Sequence, residues 1–421
     1  MSRVVRGLAV CLLPVLVGLY VAATSFSGSF VPWRPVMVDL DVYRRAGAVL
    51  LDGGDFYTLP GPLQFLYPPF AAVLAVPLAV LPAALVQVGW AVACVLSLVA
   101  VLHRFGLRGW VLSLVAAATV WFVEPVTETL AFGQVGIFLV ALVVLDLVPG
   151  PRVLPRRLLP QGALTALAAA VKLTPAIFVV YLLAVRRTRA FLAAVVTGLL
   201  VTLASALVTP SASLGFWGRL ARGDTGLGGS IVYYTNQSVM ADVVRILGVG
   251  RVSAGLGLLL SAAVAALGVW AAVRWHRRGD IALAVNLCGV ASLLASPVSW
   301  LHHFVWVVPL ALNLVQRSRG RTADGRLADR LPTWFTVLGW VFVGWVVAAP
   351  FRRLPNGGDV ELTWSWSQNL MASTTVLLGV ALLVGGVVAA HHRENRPRST
   401  AAAPVRPAAT PIGSTNQGEV G

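Results

Sequence analysis

The sequence predicts an all-α integral membrane protein, and three observations carry that prediction. Hydrophobic residues make up 58% of the 421-residue chain, charged residues only 11%, and the mean hydropathy is +0.83. Soluble domains carry about 25% charged residues, so this chain lacks the polar surface to face water all round. Apolar runs recur along the whole length, at 8–24, 84–102, 109–123, 133–148, 159–185, 190–209, 254–273, 280–296, 303–316, 333–350 and 368–390. They predict one bundle of roughly ten to twelve helices at about 20 residues each. Finally, the basic residues cluster between these runs rather than on one face of a soluble domain.

The formal charge is +16, and Lys172 is the only lysine among 32 basic residues. A basic excess also suits nucleic acid, but short loops between apolar runs are where positive charge sets membrane orientation. No nucleic-acid partner is expected, whereas contact with membrane lipids is. With the N-terminus in the cytoplasm, the 103–108 loop, Arg152, Arg156, Arg157 and the 186–189 cluster fall inside, as do Arg274–Arg278, the 317–330 loop and the tail after His391. Two conditions follow. The segment 68–82, broken by Pro68, Pro69, Pro77 and Pro82, must not cross fully. The run 159–185 must be a hairpin bent at Lys172–Pro175, because basic residues flank both its ends. Arg3 and Arg6 before run 8–24 resemble a signal peptide, but the many runs downstream favour an uncleaved first helix. Cys11, Cys94 and Cys288 lie inside apolar runs without paired spacing and read as small buried hydrophobes.

The opposite side receives 26–83, 124–132, 210–253, 297–302 and 351–367. Ten of the sixteen acidic residues lie there: Asp39, Asp41, Asp52, Asp55, Glu124, Glu128, Asp224, Asp242, Asp359 and Glu361. Chemistry is expected on that face. In the first long loop, Tyr43 to Leu51 reads as a short amphipathic helix with Val42, Ala46, Val49 and Leu50 on one side. It suits the membrane surface. Asp41 reads as its cap and Asp39 lies one step further out. A carboxylate held there can act as general base on a sugar hydroxyl. The stretch SPVSWLHHF (296–304) places His302 and His303 at the same end, and histidine bonds phosphate or hydroxyl and titrates near neutrality. The loop 217–245 holds Trp217, Arg219, Arg222, Tyr233, Tyr234, Asn236, Gln237, Ser238 and Arg245. Arginines there run against the orientation bias, and pairing with lipid phosphate is one reason for them. Lys172 is either a functional charge within the membrane or a water-exposed bend.

Residues 1–390 read as one membrane domain and 391–421, rich in Pro, Ala, Ser and Thr, as a disordered cytoplasmic tail. There is no Walker loop, no Gly-rich dinucleotide fingerprint and no zinc-type His/Cys spacing, so no nucleotide, redox cofactor or metal is expected.

The stretches DLDVYRRAGAVLLDGGDFY (39–57), FLYPPFAAVLAVPLAVLP (65–82), FGQVGIFLVALVVLDL (132–147), AAAVKLTPAIFVVYLLAVRR (168–187), YTNQSVMADVVR (234–245) and SPVSWLHHF (296–304) together resemble glycosyltransferase family 87. These are polyprenyl-phosphate-mannose-dependent α-1,2-mannosyltransferases of actinobacterial envelope assembly. The resemblance spans residues 39 to about 310. It implies the GT-C membrane glycosyltransferase fold, a plasma-membrane location and an active site on the extracytoplasmic side. It also implies a lipid-phosphate sugar donor and a mannosylated glycolipid or lipoglycan acceptor: a phosphatidylinositol mannoside, lipomannan or lipoarabinomannan. On this resemblance Asp39, four residues before Tyr43, is the catalytic base, with Asp41 as fallback. His303 assists at the phosphate beside outer arginines such as Arg219, with His302 as its alternative. Asp41, Tyr43, Tyr67, Gln134, Lys172, Arg219, Tyr234, Asn236 and His302 fall among the substrate-binding positions. A β-linked donor and an α-linked product mean inversion, so one base suffices and no cofactor or metal is required. The rival readings are a lipid-linked sugar transporter and a helper subunit without a site of its own. The one-sided clustering of polar residues and the lack of an internal repeat count against a transporter.

Overall fold

In a computed structural model the described residues are 3–24, 37–61, 63–153, 158–222 and 231–394. In chain order the helices are α1 (Arg3–Thr24), α2 (Val38–Leu51), α3 (Pro69–Val80), α4 (Ala83–Arg104), α5 (Gly109–Phe122), α6 (Glu124–Phe132), α7 (Gly136–Leu147), α8 (Ala163–Val171) and α9 (Ile177–Ala184). There follow α10 (Thr188–Val208), α11 (Pro210–Ala221), α12 (Val239–Leu247), α13 (Arg251–Arg277), α14 (Ile281–Ala295), α15 (Val307–Ser318), α16 (Thr333–Ala348) and α17 (Trp366–Glu394). Among the described residues the only β pairing is an isolated bridge between Arg321 and Leu327. The chain is an all-α multi-pass membrane protein.

Among the described residues, six segments are long and apolar enough to cross a membrane: α1, α4, α10, α13, α17, and α16 with the turn that follows it. The expected series of near-equal helices is therefore only partly what forms. Run 109–123 becomes α5, which breaks at Val123 and bends by 77° into α6. Run 303–316 splits into a 3₁₀ turn, Leu301–Trp306, and the twelve residues of α15. The central α14 has fifteen residues, with every one from Ala282 to Leu294 buried. Packed on all sides by protein, it need not match the bilayer thickness. Residues 391–394 continue α17; the rest of the expected disordered tail lies outside the described residues, as do Arg156, Arg157 and Asp224.

The run 159–185 has the expected break. α8 ends at Val171, a 3₁₀ turn covers Thr174–Ala176, and α9 then runs to Ala184. Gly162, just before α8, lies so near α10 that a Cβ would sit 2.0 Å from the Ala190 carbonyl oxygen, and its φ is +99°. Only glycine combines that contact with that backbone. Because α10 starts at Thr188, four residues past the end of α9, both ends of the α8–α9 segment come to the same end of the bundle. It is a re-entrant hairpin. Each arm is about 13 Å long at 1.5 Å per residue, less than half the hydrocarbon thickness. Lys172 stands at its tip.

Loops assigned to opposite sides converge separately. At one end, Arg104 Nη2 donates to the Leu145 carbonyl (3.0 Å), Gln316 Nε2 to that of Phe105 (2.5 Å), and Tyr181 Oη meets His276 Nδ1 (2.6 Å). A buried ion pair, Arg317 with Asp280 at 3.0 Å, closes this end. Met37 and the first turn of α2, the α6–α7 turn, segment 231–238, SPVSWLHHF and segment 350–365 all meet at the other.

Candidate functional site

Met37, with φ at +34°, turns the chain into α2. The helix begins at Val38, earlier than expected, so Asp39 and Asp41 fall inside its first turn, where the helix dipole favours carboxylates. Two residues apart on a helix, they point to opposite sides. Asp39 turns inward and is half-buried. Asp41 turns to solvent and pairs with Arg45 at 2.9 Å, its side chain 54% exposed. Asp41, the fallback base, thus faces away from Asp39 and its partners. The apolar side of α2, Val42 and Ala46, is buried, and Gly47 packs on the α3 backbone at Ala75.

The Asp39 carboxyl meets the Gln134 amide and, electrostatically, Lys172. Burial lifts its pKa from an ordinary 3.8 to about 6, while the Gln134 hydrogen bond and the Lys172 charge hold it down. Gln134 is itself fixed. Tyr43 Oη and Tyr67 Oη reach its Oε1 at 3.1 and 3.3 Å, and the two phenols meet at 2.9 Å. With the amide oxygen accepting from phenols, the amide nitrogen is the group left for Asp39. Gln134 and Tyr43 are buried, so here they orient the carboxylate from behind. Gly133 makes this possible. Its φ is +69°, and a Cβ there would lie 2.5 Å from that of Leu40.

Lys172 Nζ lies 2.5 Å from His303 Nε2 and 5.3 Å from the centre of the Tyr67 ring. The water-exposed alternative for Lys172 is set aside by these contacts. His303 Nδ1 accepts the Trp300 backbone N–H at 3.1 Å, which fixes the ring. Asp39, Lys172 and His303, from residues far apart in sequence, thus share one cluster, with Tyr43, Tyr67 and Gln134 behind it. A cavity of about 20 Å³ lined by Lys172, Thr174, Ser292 and His303 adjoins it, room for about one water.

SPVSWLHHF is held by YTNQS. Asn236 Oδ1 accepts the Ser299 N–H (2.9 Å), its Nδ2 donates to the carbonyls of Ile231 (2.9 Å) and Pro297 (3.3 Å), and Gln237 N donates to Ser299 O (2.8 Å). Fully buried, Asn236 is a clamp that acts on the site through the histidine segment. Tyr234 is half-buried, its N–H on Glu361 Oε1 at 3.2 Å. Among the outer arginines the structure separates two cases. Arg245 is buried against Asp242 (2.6 Å) and three loop carbonyls, so its charge is used inside the protein. Arg219 lies 4.7 Å over the Tyr57 ring, with no hydrogen-bond or ion-pair partner among the described residues. Tyr57 Oη in turn donates to the Tyr67 carbonyl, which ties Arg219 to the cluster's edge.

Three residues next to the histidines were not singled out by sequence. Glu128 on α6 is buried, its Oε2 3.9 Å from His302 Nδ1 and its Oε1 3.2 Å from Arg352 Nη1. Arg352 also pairs with Glu124. Glu124 and Glu128 were visible as carboxylates on the expected outer side, but their partner is more than 220 residues away in sequence, and no local spacing announces it.

The sequence profile of glycosyltransferase family 87 matches residues 65–297. The chain is 33% identical, over 84% of its length and 86% of the relative's, to the polyprenol-phosphate-mannose-dependent α-(1-2)-phosphatidylinositol mannoside mannosyltransferase of Mycolicibacterium smegmatis. The protein with the same description from Mycobacterium tuberculosis is 30% identical, covering 91% of both chains. A phosphatidylinositol pentamannoside mannosyltransferase of M. tuberculosis is 35% identical over 80% of this chain and 76% of its own. No solved structure matches. With more than half its length inside the family profile and relatives along nearly all of it, the chain belongs to glycosyltransferase family 87 and is a glycosyltransferase rather than a carrier.

Proposed function

We propose that this enzyme transfers mannose from polyprenyl-phosphate-mannose to a hydroxyl of a phosphatidylinositol mannoside, forming an α-1,2 linkage with inversion. It does so at the extracytoplasmic face of the plasma membrane. The observation that carries the reading is the Asp39–Lys172–His303 cluster: one oriented carboxylate beside cationic and imidazole groups, in a chain whose relatives carry that activity in their names.

The acceptor oxygen attacks the anomeric carbon while Asp39 takes its proton. The carbon–oxygen bond to the phosphate breaks, and polyprenyl phosphate leaves with the electron pair. Lys172 stabilises the negative charge that develops there, with His303 beside it and Arg219 at the edge. A carboxyl with a pKa of about 6 is ionised at neutral pH yet basic enough to receive a proton in the transition state. The re-entrant hairpin supports the assignment of sides, since it carries Lys172 from the arginine-rich end of the bundle towards the carboxylate-rich end.

The test is transfer of radiolabelled mannose from synthetic polyprenyl-phosphate-mannose to a panel of mannosylated lipids, using purified protein and Asp39→Asn as the paired control. Transfer that is lost in the variant supports the reading. Transfer at the unmutated rate by a variant present at normal levels sinks it.

A further inference from the structure

Beside the Asp39 cluster lies a second group of polar side chains that the transfer chemistry leaves unused. It consists of Glu124 and Glu128 on α6, His302, and Arg352 in the 3₁₀ turn Pro350–Arg353 after α16. Its position is set by short links. Thr129 Oγ1 donates to the His302 carbonyl at 2.9 Å, tying α6 to SPVSWLHHF. The His302 and His303 rings meet edge to face with centroids 4.6 Å apart, and His303 carries the contact to Lys172. The two groups therefore touch through the paired imidazole rings.

The group is graded from surface to floor. The side chains of Arg352 and Glu124 are 39% and 34% exposed, that of Glu128 10% and that of His302 7%. Glu128 turns one oxygen to Arg352 and the other towards His302 Nδ1. A carboxylate facing Nδ1 favours the tautomer with the proton on that nitrogen, which leaves Nε2 an acceptor. On the other edge of the ring, Nε2 is buried and has no hydrogen-bond partner among the described residues. A buried polar atom left in that state is costly, and native structures rarely keep one without a use.

What is missing is therefore a donor. A phosphate brings acceptors and negative charge, and two carboxylates repel it. A sugar brings several O–H groups at ring spacing. We infer that Glu128 and His302, with Arg352 and Glu124 at the mouth, form a hydroxyl-binding subsite for the terminal sugar of the acceptor. Glu128 receives one hydroxyl, His302 Nε2 a second, and Arg352 orders the two carboxylates by pairing with both. Phosphate recognition stays on the Lys172 and Arg219 side, so each substrate meets the polarity that suits it. The inference rests on the mannosyltransferase reading and specifies its acceptor side.

The test is steady-state transfer by the full-length enzyme and its Glu128→Gln, Arg352→Ala and Arg352→Lys variants. Donor and phosphatidylinositol mannoside are varied separately. Loss of one hydrogen bond to a charged group predicts an acceptor KM raised about tenfold to a hundredfold in Glu128→Gln and Arg352→Ala, with donor KM and saturating kcat within about twofold. Arg352→Lys restores most of the loss. A rise in donor KM instead, or a fall in kcat with acceptor KM unchanged, overturns the inference. Thermal melting in detergent checks that Glu128→Gln folds; if it does not, the two Arg352 variants decide. Equilibrium binding of the phosphatidylinositol mannoside without donor judges the subsite apart from turnover. Binding about tenfold weaker in the charge-altering variants supports it, and unchanged binding overturns it. An unmutated enzyme that transfers no mannose removes the parent reading alone, because the binding comparison still stands.

Discussion

Replacing Asp39 by asparagine is expected to abolish most transfer while making the protein more stable at neutral pH. Burial raises this carboxyl from 3.8 to about 6. Holding it ionised in the folded state therefore costs about 3 kcal/mol, at about 1.4 kcal/mol per pH unit. Partial exposure screens the group, and asparagine keeps a polar partner for Gln134, so a gain of about 1–2 kcal/mol is the working figure. The sign follows from the raised value. Below about pH 4 the carboxyl is neutral in both folded and unfolded chains, and wild type is not penalised. As pH rises through 6 the penalty appears in full, and the variant gains its advantage over that window. Loss of a general base lowers kcat by about 10²–10⁴. The acidic limb of kcat/KM in wild type, falling below about pH 6, should vanish in whatever activity remains. Thermal melting in detergent at pH 4.5 and pH 7.5, beside radiolabelled transfer across the same range, measures both effects. A variant melting below wild type at pH 7.5, or one that retains the acidic limb, would refute the reasoning.

Lys172→Met should cut kcat by about 10²–10³, the scale seen when one preorganised charge stabiliser is lost, and transfer kinetics at saturating donor will read it. Asp280→Ala removes the carboxylate from the buried Arg317 pair and the cap of α14, where Asp280 Oδ1 accepts the Leu283 N–H at 3.1 Å. It should destabilise by about 3–5 kcal/mol without altering acceptor preference, as thermal melting and an acceptor panel will report. Gly162→Ala drives a methyl into the Ala190 carbonyl and should cost about 1–3 kcal/mol, with activity falling as the hairpin tip is displaced. In Asn236→Ala, the Ser299 N–H and the Ile231 carbonyl lose their partner, while Pro297 O keeps Ser238 Oγ. A loss of about 1–3 kcal/mol and a lowered kcat should be measurable by melting and transfer.

The membrane class and the division of loops between two ends were legible because lipid leaves few options: apolar runs and arginine placement report on depth and side directly. The proline-broken segment at 68–82 and the hairpin around Lys172 were likewise readable, as each was the only way to balance the orientation. The number and length of the helices were not. α14 and α15 are shielded by other helices, and hydropathy cannot tell a core helix from a spanning one. Within the candidate site, the paired histidines stood out in the sequence, and the Asp39 spacing through the family resemblance. The division of labour did not. Gln134 and Asn236 resemble ligand-binding amides in sequence, but one orients Asp39 and the other holds Ser299. Asp41 and Arg245 carried the right charges, and the helix rotation and a neighbouring Asp242 assign them elsewhere. Glu128 depends on Arg352, a pairing that only the finished fold creates.

The hairpin tip also sets an order of events during biogenesis. Lys172 enters the bilayer on arms too short to span it, when its partner histidine is still 131 residues from being synthesised. Until residue 303 emerges and the central helices close around it, a lone ammonium faces lipid with only the Asp39 side of the pocket to receive it. A nascent chain arrested between the hairpin and SPVSWLHHF is therefore a marked species, with its charge unsheltered and its short arms unlocked.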